Sequence, residues 1–520
     1  MSQAPDPSNG IDAQFQRYGP AYRWLVTVSG MAGAMTMVLS ATMVNVAVPS
    51  IMGAFGVGQD LAQWAATGFI ATMVASQLLN AWMTRALGRR VTYTLTLALF
   101  TLGSVICAVT PNIDMLILGR VLQGFSAGVI QPLVMTTIVE VFPEKRRGFA
   151  VGLYGMGVTL SPSFGPLCGG LVIDAFTWRH IFIAPLPLVF FSVVMGLTFM
   201  PRMQRKEKKL PPFDWTGFIL VAVALFCLMT ALGNGRRLGW GSDQTLILAG
   251  VGFCAAVLFI HAELRAKAPI LDPTLFLNSR FAAATLIGFA FGAGNFATNY
   301  AIPVFVQTVQ GYTATKAGLV LVPAGLFLFM LIFISGKLAD NLPPQYPIMA
   351  GCCVFATAAW LMSGGDVNTP YWSMALFTVL SRGAIGLVMP NIGAAAMRAA
   401  PPEKLSLAAG ATNFIRQLGG AFGVNMTVVI IETRTAFHAD GLTATQTSAN
   451  PFSVEMLDKV RKLLHESGVA ESELHSGALN YLGKVVHAQA TTFGFQDAFL
   501  CISVVFVVAL IPAWILGRTK

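Results

Sequence analysis

Three arginines interrupt otherwise apolar runs of this chain: Arg120 in LILGRVLQGFSAG, Arg382 in FTVLSRGAIGLVMP and Arg416 in FIRQLGGAFG. A guanidinium keeps its charge at any cellular pH, and in hydrocarbon it costs several kcal/mol unless its N–H groups are received. Two answers stay open for Arg120. Helix carbonyls and neutral groups such as Asn45 and Gln123 satisfy it, or it attracts an anionic or weakly acidic solute. Arg382 and Arg416 pose the same question, with Gln417, Asn413 and Asn391 as neutral candidates. No acid occupies the middle of the first six apolar runs; Glu140 and Asp174 fall near their ends. Asp497, in FGFQDAFL, and Glu432 remain as proton carriers. Desolvation would raise either one's pKa, and contact with water would leave either an ordinary carboxylate.

Other polar residues lie in the same runs. FGAGNFATNYAIP carries Asn295, Asn299 and Tyr300, followed by Gln307. This strip either touches a solute or makes interhelical hydrogen bonds, worth about 0.6 kcal/mol each in a membrane. GVTLSPSFGPLCGG, residues 157–170, is dense in helix breakers: Gly157, Pro162, Gly165, Pro166, Gly169 and Gly170. Gly165 and Gly169 form a Gly-x-x-x-Gly pair that lets two helix backbones approach closely, and the prolines bend the helix and free carbonyls. The stripe suits either static packing or a surface that rocks against a partner. No phosphate-binding Gly-x-x-x-x-Gly-Lys loop is present, so ATP is not the expected energy source. Nor is there a Gly-x-Ser-x-Gly elbow or a cluster of His and acid residues at one depth. His438, His465, His475 and His487 have no standard metal spacing. The expectation is no catalytic site, no metal and no cofactor.

The elements that must position these groups follow from composition. Hydrophobic residues make up 55% of 520 and charged residues 11%, against roughly 25% charged in soluble domains. Apolar windows recur, each long enough to cross about 30 Å of hydrocarbon as a helix, for about fourteen spans in all. Because lipid offers the backbone no partners, the expected fold class is all-α, polytopic. Basic residues gather in alternate short loops, around Arg85, Arg89 and Arg90, around Arg146, at 202–209 and at Arg398/Lys404. That bias places both termini in the cytoplasm and accounts for the net charge of +10 without nucleic acid. No cleavable signal is expected ahead of the first span. The seven cysteines read as packing residues. The chain divides into a tail (1–23), a six-helix bundle (24–200), a basic linker (201–214), two extra helices (215–263), a second bundle (264–516) and a tail (517–520). A long outer loop, 433–490, contains SVEMLDKVRKLLHE, which predicts an amphipathic helix with Glu455–Lys459 and Asp458–Lys462 pairs.

Several stretches together resemble the major facilitator superfamily, and within it the fourteen-span drug:proton antiporters of the Emr/Qac type. GVTLSPSFGPLCGG is similar to their fifth-span antiporter motif. LILGRVLQG resembles the fourth-span motif at Arg120, Gln123 and Gly124, and LSATMVNVAVPSI the first-span motif at Thr42, Asn45 and Pro49. WRHIFIAPLP, FDWTG and FIRQLGGAFG resemble the start of span six, the entry to the extra helices and span thirteen. The cytoplasmic-loop motif is matched at Gly88, Arg89 and Arg90, and its second copy at Gly336 and Asp340. The chain departs from the family where Ser40 replaces a usual acid and where no acid accompanies Arg85.

The resemblance implies two six-helix bundles related by a pseudo-two-fold, and export driven by a proton gradient. It implies a bacterial inner-membrane location. The cargo would be a small hydrophobic or amphiphilic compound taken between the bundles, with Thr42, Asn45, Asn295, Asn299, Tyr300 and Gln417 as contacts. In a host with an outer membrane it further implies a periplasmic adaptor and an outer-membrane channel. Two rivals remain: a dedicated exporter of one metabolite, such as a siderophore or fatty acid, and a non-transporting sensor or scaffold.

Overall fold

The computed structural model describes residues 11–143, 146–201, 213–266, 269–401 and 404–518. After a short amphipathic α1 (Ile11–Tyr18), the first half contains α2 (Tyr22–Phe55), α3 (Gln59–Ala62), α4 (Trp64–Ser76), α5 (Asn80–Leu87) and α6 (Arg89–Val109). It continues with α7 (Ile113–Val141), α8 (Arg147–Ala175), α9 (His180–Ile183) and α10 (Leu186–Phe199). A hairpin, α11 (Trp215–Arg237) and α12 (Asp243–Arg265), leads to the second half. That half holds α13 (Ser279–Thr308), α14 (Ala314–Leu319), α15 (Leu321–Asn341), α16 (Gln345–Ser363) and α17 (Tyr371–Ala399). It ends with α18 (Leu405–Ala444), α19 (Pro451–Glu466), α20 (Glu471–Val508) and α21 (Leu510–Arg518).

Among the described residues, 12 helices are long and apolar enough to cross a membrane. The helix α8 and the α4–α5 pair, broken by a 3-10 turn at Gln77–Leu79, complete the first bundle. Side chains start several helices by accepting the free N–H groups of the first turn: Asn112 for α7, Asp214 for α11, Ser242 for α12 and Asn278 for α13. Most of the basic linker lies outside the described residues.

The expected outer loop is largely helical. The helix α18 runs on to Ala444 and α20 starts at Glu471, so both extend well past their apolar parts. The helix α19 lies between them and packs on α20. Only 445–450 and 467–470 fall outside helices there. The Glu455–Lys459 pair forms at 2.6 Å, but Asp458 pairs with Arg461 at 3.6 Å rather than with Lys462. On the exposed side of a helix the i,i+3 and i,i+4 positions compete on nearly equal terms.

The breaker-rich α8 has two working faces. A Cβ on Gly157 would meet Met31 and Met35; one on Gly165 would overlap Thr42 Oγ1 and lie 2.9 Å from the Leu39 carbonyl; one on Gly169 would lie 2.9 Å from the Met43 carbonyl. All of these neighbours belong to α2, in the same half. The Gly165/Gly169 stripe therefore packs within the first bundle, and it is the next face that meets the other half. Gly170 lies against the Ala314 and Thr315 backbone, Gly318 against the Pro166 carbonyl, and Gly325 against Ser163. Asp174 Oδ2 accepts from Thr315 N at 3.0 Å. Pro162 and Pro166 lack an N–H, so carbonyls one turn earlier go without their usual helical donor.

The second half repeats the first face. Gly419 lies against the Phe289 carbonyl and Gly423 against that of Ala293, bringing α18 onto α13 as α8 is brought onto α2. Across the halves, α18 instead meets α3 and α4 through polar side chains: Gln63 Nε2 donates to Asn425 Oδ1 (3.4 Å) and Asn413 Nδ2 to Gln77 Oε1 (3.0 Å). The helix α11 touches both α4 and α18, so the extra hairpin covers this second seam. Asn425 Nδ2 also donates to the Met229 carbonyl at 2.9 Å.

The two faces of α8 should respond differently to bulk. Gly165→Leu should lower the unfolding temperature of the purified protein, by about 1–3 kcal/mol of overpacking. Gly170→Leu should instead part the seam, and a Thr315→Cys reporter should then react faster with a maleimide. Unchanged labelling in the Gly170→Leu protein would show that this seam does not depend on the missing side chain.

Candidate functional site

Arg120 is fully buried in α7. Its Nε donates to the Ala65 carbonyl at 2.5 Å, and its Nη1 to Gln123 Oε1 at 2.7 Å and to the Ser40 carbonyl at 3.4 Å. The guanidinium carbon stands 4.3 Å from the centre of the Phe69 ring, a cation–π contact. Gln123 in turn donates to Ser104 Oγ at 2.7 Å. Glycines make this reach possible. A Cβ on Gly124 would strike the Phe69 carbonyl, and one on Gly119 would strike Cys107 Sγ and lie 2.9 Å from the Gly103 carbonyl. With those atoms absent, α7 sits close enough to α4 and α6 for a side chain to find a backbone oxygen. One nitrogen, Nη2, is buried without a partner.

Asn45 is not part of this cluster. It crosses to the other half, where its Nδ2 donates to the Asn299 carbonyl at 3.1 Å. Arg382 Nη1 donates to Asn295 Oδ1, which also accepts from Asn299 Nδ2 at 3.3 Å. A polar chain therefore runs from α17 through α13 to α2. Arg416 Nη2 donates to Asn413 Oδ1 at 2.6 Å. Asn391 serves neither arginine; it donates to Ser335 Oγ at 3.1 Å and to the Leu387 carbonyl at 2.7 Å. Gln417 is buried, with its Oε1 unpartnered, as is Nη2 of Arg382. All hydrogen-bond partners of the three arginines among the described residues are neutral.

The two candidate acids lie elsewhere. Asp497 of α20 accepts from Arg434 Nε at 2.5 Å and contacts His438 Nε2 at 2.8 Å, both on α18. That is the geometry of an ion pair tying two helices, and it was not legible because Arg434 and His438 lay in the supposed loop. Glu432 is half-buried on α18.

Tyr300 is fully buried and Thr42 nearly so. The Tyr300 hydroxyl accepts from Gln59 Nε2 at 3.2 Å across the halves, and Thr42 Oγ1 bonds back to the Leu39 carbonyl at 3.1 Å. Thr42, Asn45, Asn299 and Tyr300 thus lie within the contact between the halves or beside it, and Asn295 is half-buried. Two cavities lie elsewhere. One of 530 Å³ is lined by Leu225, Phe259, Phe276, Phe414, Leu418 and Phe422, between the extra hairpin and α18. One of 380 Å³ lies among α13, α18 and α20. Both are almost wholly apolar and border the bundle's outer surface.

The loop motif has a clear structural basis. Gly88 has φ +84°, a left-handed conformation that joins α5 to α6. Arg89 forms a two-pronged ion pair with Glu140 of α7, and Arg90 donates to the Met200 and Thr198 carbonyls at 3.0 Å each. Glu140 is the partner that adjacency in sequence could not reveal, since 51 positions separate the two. Gly336 and Asp340 fall in the last turns of α15, where side chains lie outside the described ones.

Comparison with known proteins agrees with this architecture. The Major Facilitator Superfamily model matches residues 30–424. An uncharacterized MFS-type transporter of Bacillus subtilis, YhcA, is 27% identical over 482 residues, covering 92% of this chain and 90% of its own. The multidrug export protein EmrB of Escherichia coli is 27% identical over 498 residues, 94% of each chain. Among solved structures, a POT family transporter in complex with a thioalcohol-conjugated peptide shares the fold with a TM-score of 0.64 at 14% identity, covering 97% of this chain and 99% of that one. The chain belongs to the major facilitator superfamily and is a multi-pass membrane transporter rather than an enzyme.

Proposed function

We propose that this chain is a proton-driven exporter of small hydrophobic or amphiphilic toxic compounds, working by alternating access. It would lie in a bacterial inner membrane with both termini in the cytoplasm. The observation that carries this reading is likeness along nearly the whole chain to a protein named for multidrug export, over 94% of both lengths. The seam between the halves supports it. Where α8 meets α14 and α15 the contacts are between backbone and small residues, so the halves can part there without stranding a buried side chain. Protons entering the cell would drive the closed seam open and return it, and no bound cofactor would be needed. The helical projection built from α18, α19 and α20 exposes Phe452 (82%) and Leu463 (62%). It is the surface we assign to a periplasmic adaptor and, beyond it, an outer-membrane channel.

A second reading, a dedicated exporter of an anionic metabolite, is favoured by one observation: three arginines whose partners are all neutral. Arg416 is only half-buried, unlike Arg120 and Arg382.

In everted membrane vesicles, uptake of a fluorescent drug should follow an imposed inward-acid gradient and collapse with a protonophore. Flux that ignores the gradient rejects proton coupling. Arg416→Gln separates the two cargo readings. Export of anionic dyes falling at least about tenfold (roughly 1.4 kcal/mol) below that of size-matched cations supports the anionic metabolite. An equal change for both supports the broad exporter.

Asn295→Leu should destabilise the purified protein by about 1.5–3 kcal/mol, the cost of removing a hydrogen bond to a buried charge. An unshifted thermal midpoint would mean Arg382 finds another acceptor.

A further inference from the structure

We propose that Asp214 and Glu263 form a proton-binding site, a carboxyl–carboxylate pair that shares one proton at the base of the α11–α12 hairpin. The site lies outside the passage between the halves; only its role in transport rests on the proton-driven reading above. Each carboxyl commits one oxygen to a backbone N–H. Asp214 Oδ1 accepts from Gly217 N at 2.9 Å, capping α11, and Glu263 Oε2 accepts from Leu271 N at 3.2 Å. The remaining oxygens, Asp214 Oδ2 and Glu263 Oε1, are buried and have no partner. Glu263 is only 2% exposed.

Both orphan oxygens border one vacant point. The point where a Cβ would stand on Gly217 is 2.5 Å from Asp214 Oδ2 and 2.7 Å from Glu263 Oε1. Glycine leaves that point empty. Burial penalises the charged form of Glu263, and a second carboxylate beside it adds repulsion. A single proton replaces the repulsion with a charge-assisted O–H···O bond. In the shared state Glu263 Oε1 carries the proton, directed toward Asp214 Oδ2. Two protein oxygens are too few for a calcium ion, which takes six to eight.

Among the described residues, no charged group takes the proton's place. Asp272, on the segment leading to α13, adds negative charge and is paired with Lys404 of the segment before α18 at 2.6 Å. Arg265 and His261 belong to α12 itself and Arg85 to α5; none of the described cations lies within ion-pair distance of Asp214 or Glu263.

The position gives the proton leverage. Phe213 and Trp215 flank Asp214 and pack on Trp82 of α5, with ring centroids 5.7 and 5.1 Å apart, which ties the hairpin to the first half. Glu263 holds Leu271, which ties it to the second. Loss of the proton leaves two anions at the joint between those ties and loosens it.

The test is infrared difference spectroscopy of the full chain in lipid nanodiscs, titrated with pH. A protonated-carboxyl carbonyl band should persist to neutral pH and shift in heavy water. Glu263→Gln and Asp214→Asn should each remove it at neutral pH. Gly217→Ala keeps both acids but fills the meeting point, and should move the band's midpoint at least about one pH unit toward an ordinary carboxyl. Each variant must retain the wild-type unfolding temperature to be scored, and Gly217→Ala serves where an acid variant does not fold. A wild-type protein with no such band overturns the proposal, as does a band unchanged in the variants or one abolished by added cations at fixed pH. The spectrum requires no transport. Gradient-independent flux with the band intact would therefore reject the exporter's coupling and leave the site standing.

Discussion

Every N–H carried into hydrocarbon must meet an acceptor, and the fully buried guanidinium of Arg120 states that demand most sharply. No side-chain acid answers it. Its acceptors are two backbone carbonyls and Gln123, and Phe69 adds its ring face. Backbone carbonyls are available to a side chain only where helices come unusually near, so the arginine's hold on the Ala65 carbonyl of α4 depends on Gly124, which brings α7 onto Phe69. The glycines and the charge form one device: the close approach supplies the oxygens, and the guanidinium holds α7 to α2 and α4. Arg382 uses a side-chain amide instead, which makes its support more easily rearranged.

The same logic separates two of the contacts between the halves. At the α8 seam, backbone meets small side chains, and separation exposes few polar side-chain groups. At the seam between α18 and α3–α4, Gln63, Asn425, Gln77 and Asn413 bond to one another, and parting them requires water or new partners for each. The extra hairpin lies across this second seam, through α11. Parting the first of these contacts would therefore expose fewer polar side chains than parting the second. The pseudo-symmetry is real in the within-half contacts, where Gly419 and Gly423 mirror Gly165 and Gly169. It is broken in the contacts between halves.

Much of this was legible in the residues. Apolar windows and alternate basic loops outline the spans because lipid punishes any other arrangement. Gly88, Arg120, Gln123 and the breakers of α8 stand out because only particular atoms, or their absence, serve those places. What could not be read is direction. A Gly-x-x-x-Gly pair announces a close neighbour without naming it, so Gly165 and Gly169 left their partner helix open, while Gly170, one residue on, occupies the seam. Asn45 was a sensible partner for Arg120 by depth, yet its rotation on α2 sends it to Asn299. The helical extensions of α18 and α20 were hidden because their exposed faces are polar, and a polar stretch between spans resembles a loop until tertiary contacts with α19 are known. Asp214 and Glu263 lie 49 positions apart, and nothing local to either indicates the other.

Linkage does not require that a proton driving transport travel the same path as the cargo. If separating the ties at the hairpin base moves Glu263 away from Asp214, the shared proton must bind less tightly in that state, and by the same factor its binding opposes the separation. Each pH unit of difference in affinity is worth about 1.4 kcal/mol, and a shift of two to three units would approach the several kcal/mol needed to move a two-state equilibrium from one side to the other. A pair of carboxyls with opposed orphan oxygens reaches such differences readily, because its deprotonated form is penalised only while the oxygens are held together. On the proposed reading, proton coupling would not require an acid at position 40. The protonatable group has only to sit where its geometry changes with the separation of the halves, and the base of the hairpin, fastened to α5 on one side and to the entry of α13 on the other, is such a place.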